Sequence, residues 1–203
     1  MEVKEIKKEK NTKTKELPLK VETEMIYSLL NGIKTQFRKP IKEGEAFLSK
    51  YKKNDILYVK EGWGFYYDKL IYRSDLSILR DTLSPEHYED LMKKTNWKSY
   101  ILMPRKFSRI HIKITKIRFE RLNKISDKDI MAEGIDFYVI PDKGIFYQDY
   151  SYFRSKNSFK TPIESFKSLW DRTYITKDRF KWDKNPFVCV YEFKILNKNE
   201  IDL

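Results

Sequence analysis

The stretch Ser108 to Leu122 constrains the fold of this chain more than any other. Ile110, Ile112 and Ile114 alternate with polar residues, the period-two pattern of a strand with one face buried. The phase then slips, and Ile117 and Phe119 resume the alternation one position out of step. A strand keeps its apolar side inward through such a slip by carrying one extra residue. The pattern therefore predicts a β-bulge at Thr115 or Lys116, which bends the strand.

Shorter signals surround it. Leu17 to Val21 reads as a strand, and Asp55 to Val59 as another, with Leu70-Ile71-Tyr72 as its hairpin partner across the turn at Tyr67-Asp68-Lys69. Phe187 to Ile195 is a further strand, with Phe187, Cys189, Tyr191, Phe193 and Ile195 expected to face the core. Helix signals are local and chemical. A short amphipathic helix from Thr23 to Asn31 ends at Gly32, and Ser84-Pro85 opens a polar helix to about Lys94. Ser126 to Asp129 caps a helix that stops at Gly134, and Thr161-Pro162-Ile163-Glu164 is a capping box for a helix through Trp170. Many short strands with a few short helices predict an α+β protein built on a small β-barrel.

Residues 1–16 lack apolar periodicity and are expected to be a flexible charged tail on one domain, 17–203. Residues 136–160 hold Phe137, Tyr138, Phe146, Tyr147, Tyr150, Tyr152, Phe153 and Phe159 without a steady period. They read as an insertion or long loop, expected to fold over the barrel mouth.

A net charge of +12 with 15% aromatic residues is the profile of a nucleic-acid binder, because phosphates attract lysines and bases stack on rings. The competing reading is a lysine-rich surface that serves solubility alone. The lone Cys189 reads as a buried hydrophobe, and no disulfide framework is possible. No apolar stretch opens the chain or has the length to span a membrane, so a soluble, cytoplasmic protein is expected. His87 and His111 sit at no ligand spacing, with His111 expected on the polar face of the long strand. Gly62 and Gly64 lack the helix and lysine of a phosphate loop, and neither a metal nor a cofactor is expected.

The stretch from Gly32 to Pro40 reads as a connecting loop carrying Lys34, Thr35, Gln36, Arg38 and Lys39. A glycine beyond a helix turns the chain in the left-handed conformation, so Lys34 points to a fixed place, as a site for an anion or a nucleobase would require. Glu61 before Gly62-Trp63, Arg109 in the long strand and Glu133 before Gly134 are the other candidates. Taken singly, each is more often a solvated charge or a structural ion pair. Trp170 at helical spacing from Phe166 reads as core; Trp97 and Trp182 are candidate stacking platforms, with packing the commoner role.

Several segments together resemble the ASCH-domain family of the PUA-like superfamily, closest to the ASCH proteins of bacteriophages and prophages. They are Glu24 to Pro40, Asp55 to Trp63, Tyr72 to Asp75, Trp97 to Ile110, Arg118 to Leu122, Ile125-Ser126, Ala132 to Ile135, Leu169 to Asp171 and Asn185 to Val188. The resemblance implies a small PUA-like β-barrel with a pocket for RNA or a nucleoside. The family signature Gly-x-Lys-x-x-Glu/Thr-x-Arg is matched at Gly32 and Lys34 and departs at Phe37 and Lys39. Some small members are amidohydrolases that remove the acyl group of N4-acetylcytidine with a lysine, a threonine and a glutamate. The lysine falls on Lys34 and the glutamate on Glu133, but the threonine falls on Phe37, which has no hydroxyl.

Three readings follow. The first is a binder of RNA, single-stranded nucleic acid or a modified nucleobase, with Lys34, Lys39 and Arg109 on phosphates or a base edge, Phe37 and Trp63 among the ligand-facing rings, and Glu61 or Glu133 accepting from a base amine. The second is an amidohydrolase or nuclease with Lys34 and Glu133 as catalytic residues. The third is a phage interaction protein, with another protein as its partner, that uses the fold as a scaffold.

Overall fold

The computed structural model describes residues 16–42, 49–152 and 157–201. Along the chain run β1 (Glu16–Lys20), a 3-10 turn, α1 (Ile26–Leu30), β2 (Gln36–Pro40), β3 (Ile56–Lys60), β4 (Trp63–Tyr66) and β5 (Lys69–Tyr72). There follow α2 (Leu76–Thr82), α3 (Pro85–Lys94), β6 (His111–Arg121), α4 (Asp127–Ala132), β7 (Phe137–Ile140), β8 (Gly144–Gln148) and β9 (Ser158–Phe159). The remaining elements are α5 (Pro162–Thr173), β10 (Phe187–Ile195) and α6 (Lys198–Ile201). The protein is mixed α and β, and among the described residues no sheet closes into a barrel. No helix among the described residues is long and apolar enough to cross a membrane.

The main sheet has the order β1-β3-β6-β10-β2. β6 and β10 pair antiparallel, and between Glu192 and Phe193 the partner on β6 jumps from Lys116 to Ile114. Thr115 is thus the extra residue that the phase slip predicts. β10 is buried on both faces, and its alternation sorts two cores. Cys189, Tyr191 and Phe193 join Phe37, Leu57, Val59, Ile112 and Ile114, while Val188 and Val190 join Leu122, Ile130, Phe166 and Trp170. Phe187 departs from its expected place and is exposed. On β6, Ile112 and Ile114 are fully buried but Phe119, beyond the bulge, is exposed.

Ser84, Ser126 and Thr161 each accept a hydrogen bond from the backbone N–H three residues on, and Pro85 and Pro162 occupy the first turns of their helices. These are the capping geometries read from the sequence. The strand pairing differs from expectation in two places. β3 does not form a hairpin with β5; it lies parallel to β1 and antiparallel to β6, and β5 pairs with β4 across the predicted turn. The segment after Gly32 is not a loop throughout, because Gln36–Pro40 becomes a strand along the edge of β10. Only Phe37 in that strand is strongly apolar, so its pattern carries no strand signal of its own.

Within the expected insertion, β7, β8 and β9 form a three-stranded antiparallel sheet rather than a loop, and Phe153 lies outside the described residues. This sheet packs beside α5, where Tyr150 joins Phe166 and Trp170 in the second core. Tyr150 accepts from the N–H of Asp136 at 2.9 Å, which ties the start of the segment to the residue that follows β8 by two positions. The predicted tail is cut short by Glu16, which begins β1 and bonds to Arg105; residues 1–15 lie outside the described residues.

Candidate functional site

Two glycines aim Lys34. α1 ends at Gly32, whose φ of +69° turns the chain so that the N–H groups of Ile33 and Lys34 both donate to Ser28 O. The Ser28 hydroxyl in turn donates to the carbonyl of Gly134 at 2.9 Å. Gly134 has φ +85°, and a Cβ there would stand 2.8 Å from the Cβ atoms of both Lys34 and Ser28. The end of α4 and the start of the Lys34 segment therefore meet through a position where only glycine fits without strain.

The contact delivers Lys34 to Glu133. Its Nζ donates to the Glu133 carbonyl at 2.6 Å and to Oε2 at 3.1 Å. The other carboxylate oxygen accepts from Arg38 Nη1 at 2.6 Å. Arg38, whose side chain is 1% exposed, also reaches Glu120 at 2.9 Å and Asp129 at 3.3 Å. Arg118 extends the network to Glu120, Asp129 and Glu192. Burial pushes the Asp129 carboxyl up, but Arg118 and Arg38 outweigh it and hold the group below its ordinary value. Arg38, Glu120, Asp129, Arg118 and Glu192 are site-forming residues that sequence reasoning missed. The available signal was charge at every second position of Arg118-Phe119-Glu120, facing Arg38 across β10.

Lys34, Arg38 and Glu133 form one end of a cavity of about 610 Å³. Its walls come from the two edges of the open main sheet: Leu19, Lys20 and Val21 at β1, and Phe37 to Pro40 of β2. Phe166, Trp170, Tyr174 and Phe180 add an aromatic side, and Lys50 and Lys177 add further positive charge. Burial, then the nearby carboxylates of Glu133 and Glu22, push the Tyr174 phenol up, so it stays neutral and can donate. Among the described residues of the β7-β8-β9 segment none lines the cavity, so they do not form the expected cover over its mouth.

Phe37 is buried, with its ring stacked on Tyr191 at a centroid distance of 4.8 Å. One face of the ring is thus spent on the core, although Phe37 still contributes to the cavity lining. Thr35, the nearest hydroxyl along the chain, is exposed, and its N–H bonds to Ala132 O. Lys39 lines the cavity beside Phe37.

Glu61, Trp63 and Arg109 do not belong to this cavity. Arg109 binds Glu61 through Nε and Nη2 at 3.1 and 2.9 Å, and Asp75 through Nη1 and Nη2 at 3.0 and 2.7 Å. Ser74 donates to Glu61 Oε2 at 2.6 Å, and the Arg109 guanidinium lies 4.0 Å from the centroid of the Tyr72 ring. Burial alone would lower the Arg109 pKa, but Glu61 and Asp75 reverse that and raise it. This is a clasp that ties the β4-β5 hairpin to the approach of β6. Trp63 is buried against Phe65 and Phe107. His111 corrects its expected place too: it is buried, and neither ring nitrogen has a hydrogen-bond partner. Trp97 lies under the Arg73 guanidinium, and Trp182 packs edge-on against Phe166. Among the described residues, no group of three His, Cys, Asp or Glu could hold a metal ion.

No protein-family model, curated protein or solved structure matches this chain.

Proposed function

We propose that this chain is a PUA-like module of the ASCH type whose cavity receives one nucleobase of RNA or single-stranded nucleic acid, or a modified nucleobase. The observation that carries the reading is the cavity itself. At about 610 Å³ it is within the size range of small-ligand sites and has room for a nucleotide. It joins an aromatic side, suited to stacking, with a hydrogen-bonding end at Lys34 and Glu133 that offers both a donor and an acceptor to a base edge. The main sheet is read as a PUA-like barrel opened along one seam. The bulge at Thr115 and the cavity walled by both edge strands support that reading.

Titrating the protein with a labelled single-stranded oligonucleotide at low and moderate salt tests the proposal. Binding is expected to weaken steeply with salt, because lysines that neutralise phosphates release counterions. Tryptophan fluorescence is expected to be quenched as a base reaches Trp170. Negligible binding at both salt concentrations removes the reading.

The contact between Lys34 and Glu133 favours a second reading, hydrolysis of an acylated nucleoside. A lysine beside a carboxylate can activate a nucleophile and move its proton. Phe37 supplies no hydroxyl at the position where the resembling amidohydrolases carry one, and Thr35 is exposed to solvent. The binder is therefore preferred, and assay with N4-acetylcytidine separates the two: turnover abolished by Lys34→Ala would install the enzyme.

A further inference from the structure

The two ends of the cavity differ in how their charge is balanced. At the inner end each cation meets a carboxylate, Lys34 at Glu133 and Arg38 at Glu133, Glu120 and Asp129. Along the β2 wall this matching stops. Lys39 and Lys50 both place their ammonium groups against the ring of Tyr51, at 5.4 and 5.3 Å from its centroid, and Lys39 also lies 5.8 Å from the ring of Phe37. Neither has a carboxylate partner among the described residues. Lys20, on the facing wall, is paired with Glu22 at 3.1 Å.

Tyr51 does not supply the missing negative charge. Its phenol is fully buried, donates to Pro18 O at 3.2 Å, and is pushed up to about 12 by burial and by Tyr191. The lysines are felt as like charges: burial first, then Lys50 and Lys20, bring Lys39 down to about 8. Packing accounts for the stems of these side chains, which can lie along aromatic surface. Both lysines also line the cavity, and their contacts with the Tyr51 ring leave the two ammonium charges without a counter-ion among the described residues. An anion in the cavity supplies one, because each ammonium then gains a charge-assisted hydrogen bond.

We propose that Lys39 and Lys50 form a phosphate subsite, so that the ligand is a nucleoside carrying a phosphate, with the base towards Trp170 and the inner Lys34–Glu133 end. The inference rests on the nucleobase reading above and narrows it to phosphorylated ligands. The phosphate is either the terminal group of a mononucleotide or the phosphodiester of a strand, and both present the same oxygens to the two ammonium groups.

Calorimetry on the full chain at low salt tests this with four probes: the common nucleosides, their 5′-monophosphates, dinucleotides lacking a terminal phosphate, and a single-stranded oligonucleotide. At least one monophosphate or dinucleotide is expected to bind ten-fold or more tightly than its parent nucleoside. Lys39→Met and Lys50→Met are each expected to weaken the phosphorylated forms far more than the nucleoside, and so to shrink that gain. A gain confined to monophosphates assigns the mononucleotide, and an equal gain for dinucleotides assigns the strand; either supports the subsite. Equal affinity of nucleoside and phosphorylated forms overturns it while the nucleobase reading stands. Loss of nucleoside affinity in both variants, in step with the phosphorylated forms, also overturns it. If none of the four probes binds, the nucleobase reading itself fails, and the subsite with it. Thermal melts check that each variant folds, and either one alone suffices for the comparison.

Discussion

Lys34 and Glu133 lie 99 residues apart in the chain and are joined twice, through the glutamate's carbonyl at 2.6 Å and its carboxylate at 3.1 Å. The same carboxylate holds Arg38, so one acidic group neutralises two nearly inaccessible cations. Glu133→Ala would leave Lys34 and part of the Arg38 guanidinium unpaired in a desolvated place. A loss of about 3–5 kcal/mol is expected from urea unfolding. Lys34→Met leaves Glu133 with Arg38 and should cost less. A Glu133→Ala protein as stable as the parent would show that the network is solvated.

Gly134 and Gly32 separate two effects of glycine. Both have positive φ, but a Cβ at Gly32 meets nothing within 4 Å, whereas at Gly134 it collides with Lys34 and Ser28. Gly32→Ala should therefore cost only the backbone penalty, about 1–2 kcal/mol. Gly134→Ala should cost more and displace Lys34, weakening ligand binding as well. Equal losses of melting temperature in the two variants would remove the steric part of the argument.

Phe37→Thr introduces a hydroxyl at the position where the ASCH signature that the chain resembles carries one, but deletes a ring packed near Tyr191, Tyr51 and Phe193. Destabilisation of about 3 kcal/mol or more is expected, as for other large-to-small changes in a core. The unsubstituted protein is expected not to hydrolyse N4-acetylcytidine. Any activity gained by the variant is to be compared only after its folding has been checked by circular dichroism.

His111 should make the protein acid-sensitive before its carboxylates titrate. Burial lowers its pKa; Glu16 opposes this and Arg105 adds to it, and the net direction is down from 6.5. The unfolded chain then takes up a proton that the folded chain refuses, so stability is complete above pH 6.5 and declines below it, until the folded imidazole also titrates. The urea midpoint should fall between pH 7 and 5, and His111→Leu should flatten that slope. An unchanged slope in the variant would assign the pH dependence elsewhere.

What the sequence disclosed was mostly local. Helix starts at Ser84, Ser126 and Thr161 depend on a side chain bonding a backbone three residues away, and the bulge at Thr115 is written in the phase of its own strand. What it hid was set by distant partners. β2 is a strand because β10 offers it an edge, and β3 chooses β1 over the nearer β5. Arg38 and His111 have ordinary neighbours in sequence; Arg38 is enclosed once β2 joins β10 and meets Glu120 and Glu133, and His111 once β6 pairs with β3. Lys34 and Glu133 were paired through the family resemblance; no periodicity in the chain links them.

The gap between the edge strands β1 and β2 has a mechanical meaning. Among the described residues each strand is hydrogen-bonded on one side only, β1 to β3 and β2 to β10, and no backbone ladder there fixes the distance between them. A ligand in the cavity would touch both margins at once and serve as mortar in the joint. Amide exchange in β1 and β2 should then slow together when ligand is added, while the doubly paired β6 and β10, already among the slowest to open, change little.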